Sequence, residues 1–447
     1  MIRRFFVGLH RWVGLALALF LIIEGATGSL IAFKTDLTNL LDPSLVAPRP
    51  SPQAQPLDFA TLFERAEAIL PQVKVKGSFY EPRDDQVSVR VSPRTDPTTG
   101  EPYHIDYEMI VLDPWTGNVL GRTDKEGYNE HGFAANITPF VYDLHQSLAI
   151  SNIGVGNIGD WILHIVALLW TIDCFVGFYL TLPLKLESFW RRWKPAWLIK
   201  WRGGFYRVNF DLHRAGGLWF WAMLFVFAWS SVNLTYVTGS YDFVMGKLFD
   251  YQSSQEQLGT RSPLPLDTET GPLKLDWRAA QSVGEKLMAE RAQREGFKIE
   301  KLIGLYRDEP IRQYTYRVRT DRWFPNDRNE EMTFDADTGT FQGATRQTNT
   351  GHAGNTVSNW LVALHLIVDP VDYLAYRIFA AGIGIVIVML SVTGVYVWWK
   401  KHKARIHANS RLASATGTLL DNREDLATTG RDAFASTYVH FDKRSRR

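Results

Sequence analysis

The chain has 447 residues and a formal charge of +2, a near balance that leaves no electrostatic footprint for nucleic acid. A single cysteine, Cys174, excludes an internal disulfide, a Cys-ligated zinc site and a Cys-ligated iron–sulfur cluster, so a redox cofactor here has to be haem, flavin, quinone or copper held by other groups. The mean hydropathy of −0.14 averages apolar runs with polar ones, and 13% aromatic content with 16 tryptophans suits membrane-interface belts and cofactor packing.

Residues 1–33 place Arg3 and Arg4 before an apolar run that is too long for a signal-peptide core and has no clear small-x-small cleavage site. At about 1.5 Å per residue the run crosses a bilayer, which predicts a first transmembrane helix. Glu24 interrupts it, followed by Gly25, Ala26, Thr27, Gly28 and Ser29, small residues that admit close packing against the backbone. Residues 34–157 are polar. They contain a Pro-rich linker over 47–56, an amphipathic helix over 58–70, alternating strands over 86–91 and 104–112, and the turn signal Asp113-Pro114-Trp115-Thr116-Gly117. This predicts a small α+β domain.

Residues 158–182 predict a second span, and 183–211 a basic loop with Lys185, Arg191, Arg192, Lys194, Lys200, Arg202 and Arg207. The third span covers 212–237. A second α+β domain covers 238–371, with a helix over 277–295, a strand over 313–320 and a strand and turn from Met332 to Gly339. The fourth span, 372–399, is closed by Lys400, Lys401 and Lys403. Residues 400–447 hold few large apolar side chains and no clear period, which predicts a disordered tail. Basic residues crowd the N-terminus, the 183–211 loop and the exit of the fourth span. The positive-inside rule therefore puts both termini in the cytoplasm and both α+β domains outside, in the periplasm of a Gram-negative bacterium. The expected fold is an α-helical multi-pass membrane protein of four transmembrane helices with two outer α+β domains.

The two halves match motif by motif, which predicts an internal duplication about a pseudo-two-fold axis along the membrane normal. His10-Arg11-x-x-Gly14 matches His213-Arg214-x-x-Gly217, each opening a span. Asp113-x-x-Thr116-Gly117 matches Asp335-x-x-Thr338-Gly339. Leu144-His145 matches Leu364-His365, and Gly177-Phe178-Tyr179-Leu180 matches Gly394-Val395-Tyr396-Val397.

Under that symmetry His10 faces His213 at the inner mouth and His145 faces His365 at the outer mouth. Each pair has the ligand chemistry for the iron of one b-type haem, two in all, because imidazole is a good axial ligand from either side of the porphyrin. There is no C-x-x-C-H, so attachment is not covalent. His164, about a turn inside the second span, has no counterpart and competes with His145 for the outer site, binds an extra haem, or serves a propionate. Arg11 and Arg214 are candidates for neutralising haem propionates. They also read as plain positive-inside anchors. Glu24 and Asp173 lie inside predicted spans, where acids are functional suspects. A proton path, a quinol contact or a structural hydrogen bond all fit. His104, His131 and His352 read as ordinary domain histidines, and His402, His407 and His440 carry no assigned role.

These motifs resemble the PepSY-associated transmembrane family over most of residues 1–402. The resemblance rests on the two His-Arg-x-x-Gly openings, the Asp113–Gly117 strand end and the Leu-His elements at 144–145 and 364–365. Members include FoxB-type inner-membrane ferrisiderophore reductases. The resemblance implies a four-helix haem-binding core with periplasmic PepSY-like domains that reduces ferric siderophores and releases Fe(II). No Rossmann fingerprint is present, so the electron donor is a quinol or a cytoplasmic reductase. The rival readings are a diheme cytochrome b serving another periplasmic acceptor, a haem-free PepSY regulator, and a transporter using Glu24 and Asp173.

Overall fold

The computed structural model describes residues 1–78, 85–124, 127–150, 158–235, 239–259, 271–323, 329–345, 352–368 and 371–441, with no side-chain account for 254–255 and 411–441. In the first half, helix α1 (Ile2–Ile31) leads through α2 (Lys34–Leu41) to α3 (Phe59–Ile69). Strands β1 (Val73–Ser78), β2 (Val87–Pro93), β3 (Met109–Leu112) and β4 (Val119–Thr123) follow, then α4 (Ile137–Ser147) and α5 (Ile158–Thr181). A short α6 (Phe189–Trp193) opens the second half. It continues with α7 (Phe205–Trp219), α8 (Trp221–Leu234), α9 (Ser240–Leu248), α10 (Ser254–Leu258) and α11 (Trp277–Glu295). Strands β5 (Ile299–Asp308), β6 (Gln313–Thr320), β7 (Asn329–Asp335) and β8 (Phe341–Ala344) come next, then α12 (Ala353–Leu366) and α13 (Leu374–Phe441).

The strands form one antiparallel sheet of order β4-β3-β2-β1-β5-β6-β7-β8, a palindrome of two matched halves. The seam is the pairing of β1 with β5 at Gly77↔Tyr306 and Ser78↔Leu305. The two expected α+β domains therefore share one continuous sheet. A four-stranded half leaves the edge of its first strand unpaired, and an open edge is a template for pairing. The two first edges satisfy each other. One apolar core runs across the seam, from Phe63, Val75 and Ile110 to Trp277, Tyr314 and Phe334. Burying each of these large side chains contributes roughly 1.5–3 kcal/mol. Helices α3 and α11 cover the same face, start on matched caps (Asp58 accepts from Thr61 N at 2.9 Å, Asp276 from Ala279 N at 2.8 Å), and touch where Phe63 meets Trp277 edge-on with ring centres 4.6 Å apart. An ionic network ties the halves as well. Glu67 bonds Arg94 (2.5 Å) and Arg307 (3.3 Å), and Glu309 bonds Arg307 (3.3 Å) and Lys74 (2.6 Å).

Both Asp-x-x-Thr-Gly motifs close the hairpins β3–β4 and β7–β8. Asp113 accepts from Trp115 N (2.7 Å) and Thr116 Oγ1 (2.7 Å), and Asp335 from Thr338 N (2.9 Å) and Thr338 Oγ1 (3.0 Å). Gly117 (φ 75°) and Gly339 (φ 71°) supply the left-handed residue these turns require. The expected strand over 104–112 is ordered as β3 only from Met109 onward.

Helices α1, α5 and the Leu374–Ser410 part of α13 are each long and apolar enough to cross a membrane. Large apolar residues on their outward faces, such as Leu19, Ile172 and Ile385, are more than half exposed in the isolated chain and need a lipid solvent. The third span departs from the expected continuous helix. It is broken at Phe220 into α7 and α8, bent by 69°. The glycine pair Gly216-Gly217 weakens the helix one turn earlier. Bonds from the basic loop then hold α7 off the span's axis: Lys200 N donates to Asp211 at 3.2 Å and Trp219 Nε1 to the Trp197 carbonyl at 3.1 Å. The expected disordered tail also differs, since the α13 backbone stays helical to Phe441. No proline occurs between Leu374 and Phe441 to stop it, and the tail is rich in alanine.

Helix α1 packs along α13, and α5 along α8. At the first crossing a Cβ built on Gly25 would lie 2.6 Å from the Gly384 carbonyl, and Ser29 Oγ donates to the Ala381 carbonyl at 2.9 Å. The small residues after Glu24 thus admit the backbone of α13.

Candidate histidine-pair site

At the basic end of the helical core, α1 and α7 bring His10 and His213 together with ring centres 6.0 Å apart and planes inclined by 51°. His10 Nδ1 lies 2.9 and 3.0 Å from the two carboxylate oxygens of Asp173 on α5. His213 Nδ1 lies 2.9 Å from the Leu390 carbonyl and 3.3 Å from Thr393 Oγ1 on α13. Carboxylate and carbonyl only accept, so both rings carry the proton on Nδ1 and direct the Nε2 lone pair elsewhere.

At the sheet end, His145 lies in the last turn of α4 and His365 in the last turn of α12. His145 Nδ1 lies 2.9 Å from Thr27 Oγ1 and 3.1 Å from Glu24 Oε2, both on α1. His365 Nδ1 lies 2.7 Å from Ser230 Oγ on α8. Thr27 donates its own hydroxyl proton to the Ile23 carbonyl (2.7 Å) and Ser230 to the Val226 carbonyl (2.6 Å). Each hydroxyl therefore accepts from the imidazole, and these two rings are also Nδ1–H tautomers. Among the described residues no hydrogen bond reaches Nε2 of any of the four histidines. Along α1 about 25 Å of helix rise separates His10 from Thr27, so the pairs stand one above the other through most of an apolar layer.

The inner pair's spacing would suit a metal held between two imidazoles, since metal–imidazole bonds of about 2 Å would leave ring centres about 6 Å apart. Among the described residues no group of three or more His, Cys, Asp or Glu gathers around a metal position. Glycines stand against three of the rings: Gly177 at His10, Gly394 at His213 and Gly28 at His145, where an added Cβ would lie 3.5, 3.0 and 3.1 Å from the ring Cε1. Gly14 and Gly217, a turn past the inner histidines, face space with nothing within 4 Å. Arg11 and Arg214, at matched positions, each hold a buried Nε with no partner. Arg214 otherwise bonds Asp211 (2.7 Å) and the Pro195 carbonyl (2.7 Å). Two orphaned cationic donors at matched positions next to His10 and His213 could be satisfied by an anionic ligand.

His164 does not join the outer pair. Its Nδ1 meets Thr235 Oγ1 at 2.7 Å and its Nε2 meets Ser240 Oγ at 3.2 Å, so both nitrogens are engaged in joining α5 to α8 and α9. His145 is the histidine opposite His365. The acids Glu24 and Asp173 each lie on a histidine. His131 bonds Asp42 (3.0 Å), His352 bonds Asp250, His402 stacks on Trp398, and His104 lies in a loop. Burial pushes the Asp42 carboxyl up, but hydrogen bonds from Ser44, His131 and Asn129 outweigh it and hold it below its ordinary value. Thr27, Ser230, Thr393 and the Leu390 carbonyl were not legible as site groups from motifs. The repeat contained the signal: Ser230 follows His213 at the spacing by which Thr27 follows His10.

A helical core apolar toward lipid, joined to a duplicated α+β sheet and holding two histidine pairs, defines a multi-helix membrane protein with a sheet domain. The chain belongs to the PepSY-associated TM region family, whose sequence profile matches residues 7–401 and so takes in all four histidines and both hairpin turns. Comparison with curated proteins finds no match.

Proposed function

We propose that this protein is a two-haem membrane reductase of the bacterial inner membrane that passes single electrons to a ferric siderophore in the periplasm and releases iron as Fe(II). The observation that carries the reading is the repeated imidazole pair, with every Nδ1 held by an acceptor and every Nε2 left for coordination. When bound, haem b supplies a one-electron Fe(III)/Fe(II) couple. His10 and His213 hold one group from α1 and α7, and His145 and His365 hold the other from α4 and α12. Arg11 and Arg214 offer their unpaired Nε donors to propionates. The apolar helices keep water from the path between the pairs.

The remaining chemistry is that of the substrate. A siderophore binds Fe(III) through hard oxygen donors and Fe(II) far more weakly, so one electron is enough to release the metal and no nucleophile or acid–base pair is needed. Basic residues at the His10–His213 end orient that end to the cytoplasm with both termini, and the sheet to the periplasm. Electrons enter at the inner pair from a quinol or a cytoplasmic reductase.

The test is a reduced-minus-oxidised spectrum of purified protein with a pyridine haemochrome count, followed by mixing with ferric siderophores. Two b-type haems per chain are expected, one in His213→Ala, with reoxidation by the siderophore. Protein made with ample haem that binds none overturns the reading. Reoxidation by other acceptors alone leaves a diheme cytochrome with a different substrate.

A further inference from the structure

Three of the four histidines are held by neutral oxygens and one by a carboxylate. His10 donates Nδ1–H to Asp173 at 2.9 Å, whereas His145 donates to Thr27 Oγ1 at 2.9 Å, with Glu24 Oε2 3.1 Å from the same nitrogen. Their matched partners lean on neutral oxygens, His213 on the Leu390 carbonyl and His365 on Ser230. The difference lies at matched positions. Leu390 precedes Gly394 as Asp173 precedes Gly177, and Phe227 follows His213 as Glu24 follows His10. Phe227 packs edge-on against His365, with ring centres 5.1 Å apart. The inner pair therefore joins one carboxylate-backed imidazole with one neutral-backed imidazole, while both imidazoles of the outer pair donate to hydroxyls.

We propose that Asp173 is a positioning residue that makes one axial histidine of the inner pair a strong donor, and so sets the potential of that site. The proposal rests on the haem reading above. A carboxylate accepting from Nδ1–H pushes electron density toward Nε2 and adds negative charge beside the metal, which favours the ferric state. The inner site stays strongly reducing although it lies in apolar surroundings that otherwise favour the state of lower charge.

The experiment is a spectroelectrochemical titration of the full chain and its isosteric variant Asp173→Asn, each with a haem count. Asp173→Asn is expected to move one of the two midpoint potentials positive and leave the other in place. Thr393→Val, which removes a neutral contact from His213, is expected to move its potential less than Asp173→Asn does. Two haems retained with both potentials unchanged in Asp173→Asn overturn the proposal and leave the haem reading intact. If Asp173→Asn loses haem, the count in Asp173→Glu decides: recovery supports the charge, and loss there too assigns the residue to packing and overturns the proposal. Wild-type protein without haem is a failure of the underlying reading.

Discussion

In the first half, α1 runs unbroken for 30 residues and carries His10, Glu24 and Thr27 on one rod. In the second half the matching stretch bends by 69° at Phe220, and His213 and Ser230 sit on different helices. One pair of positions explains the difference. Two residues before His213 stands Asp211, fully buried and bonded to Arg207 (2.8 Å), Arg214 (2.7 Å) and the Lys200 amide. Two residues before His10 stands Gly8, with open space around it. Through the Lys200 amide this buried charge cluster fastens α7 to the basic loop, whereas α1 is tied by Arg3 to the Leu180 and Leu182 carbonyls at the end of α5. Two backbones thus present equivalent imidazoles to a common centre, and the halves are free to differ wherever the histidine geometry is kept.

The seam of the sheet is where this comparison breaks most sharply. Gly77 has φ +115°, and a Cβ there would lie 2.2 Å from the Leu305 carbonyl, whereas a Cβ on Gly304 would lie 3.1 Å from the Ser78 carbonyl. Gly77→Ala combines left-handed strain with a backbone clash and is expected to cost at least about 3 kcal/mol. Gly304→Ala should cost less. Thermal unfolding in detergent with limited proteolysis of the sheet ranks the two. Equal, small shifts would mean that β1 and β5 do not depend on their pairing.

The helix crossings come next. Gly25 meets Gly384 at the α1–α13 crossing, while its matched residue in α8 is Ala228, already fully buried with a side chain. Gly25→Ala is expected to cost about 1–3 kcal/mol by overpacking, and Ala228→Gly about 1 kcal/mol through helix propensity and lost burial. A larger loss from Ala228→Gly would reverse the ranking. Asp211→Asn is milder, about 1–2 kcal/mol, because Arg207 and Arg214 keep some access to water. Its distinctive readout is local: protease cleavage in the 183–204 loop should rise while the α1 segment is unaffected.

Much of this was legible in the sequence because repetition marks what both halves need. The paired histidines, the Asp-x-x-Thr-Gly turns, α11 over 277–295 and β6 over 313–320 all rest on local chemistry or on a motif met twice. The fused sheet was not legible. Among the described residues it is joined by two residue pairs, Gly77↔Tyr306 and Ser78↔Leu305, that are far apart in sequence and carry no pairing signal of their own. The break at Phe220 was hidden because apolar residues continue on both sides of it. The partners of the acids were hidden because facing Asp173 to His10 depends on how α5 and α1 rotate against each other, which composition does not encode.

The smallest expected effect separates the halves by pH. Two residues beyond Asp335 stands Asp337, where the first half has Trp115. Arg312 bonds Asp337 through Nε (2.6 Å) and Nη2 (2.5 Å), and this contact holds the Asp337 carboxyl below the usual carboxylate range. Because the folded value lies below the unfolded one, the stabilisation is fully present above the ordinary aspartate pKa of about 3.9 and is lost as pH falls through the folded value. Arg312→Met should therefore lower stability slightly near neutral pH and remove this contribution to acid loss below about pH 4. Hydrogen exchange of β7 and β8 against β3 and β4 across that window locates the effect. If β3 and β4 changed as much as β7 and β8, the pair would be acting through the whole fused sheet, and the halves would be coupled more tightly than their two-residue seam implies.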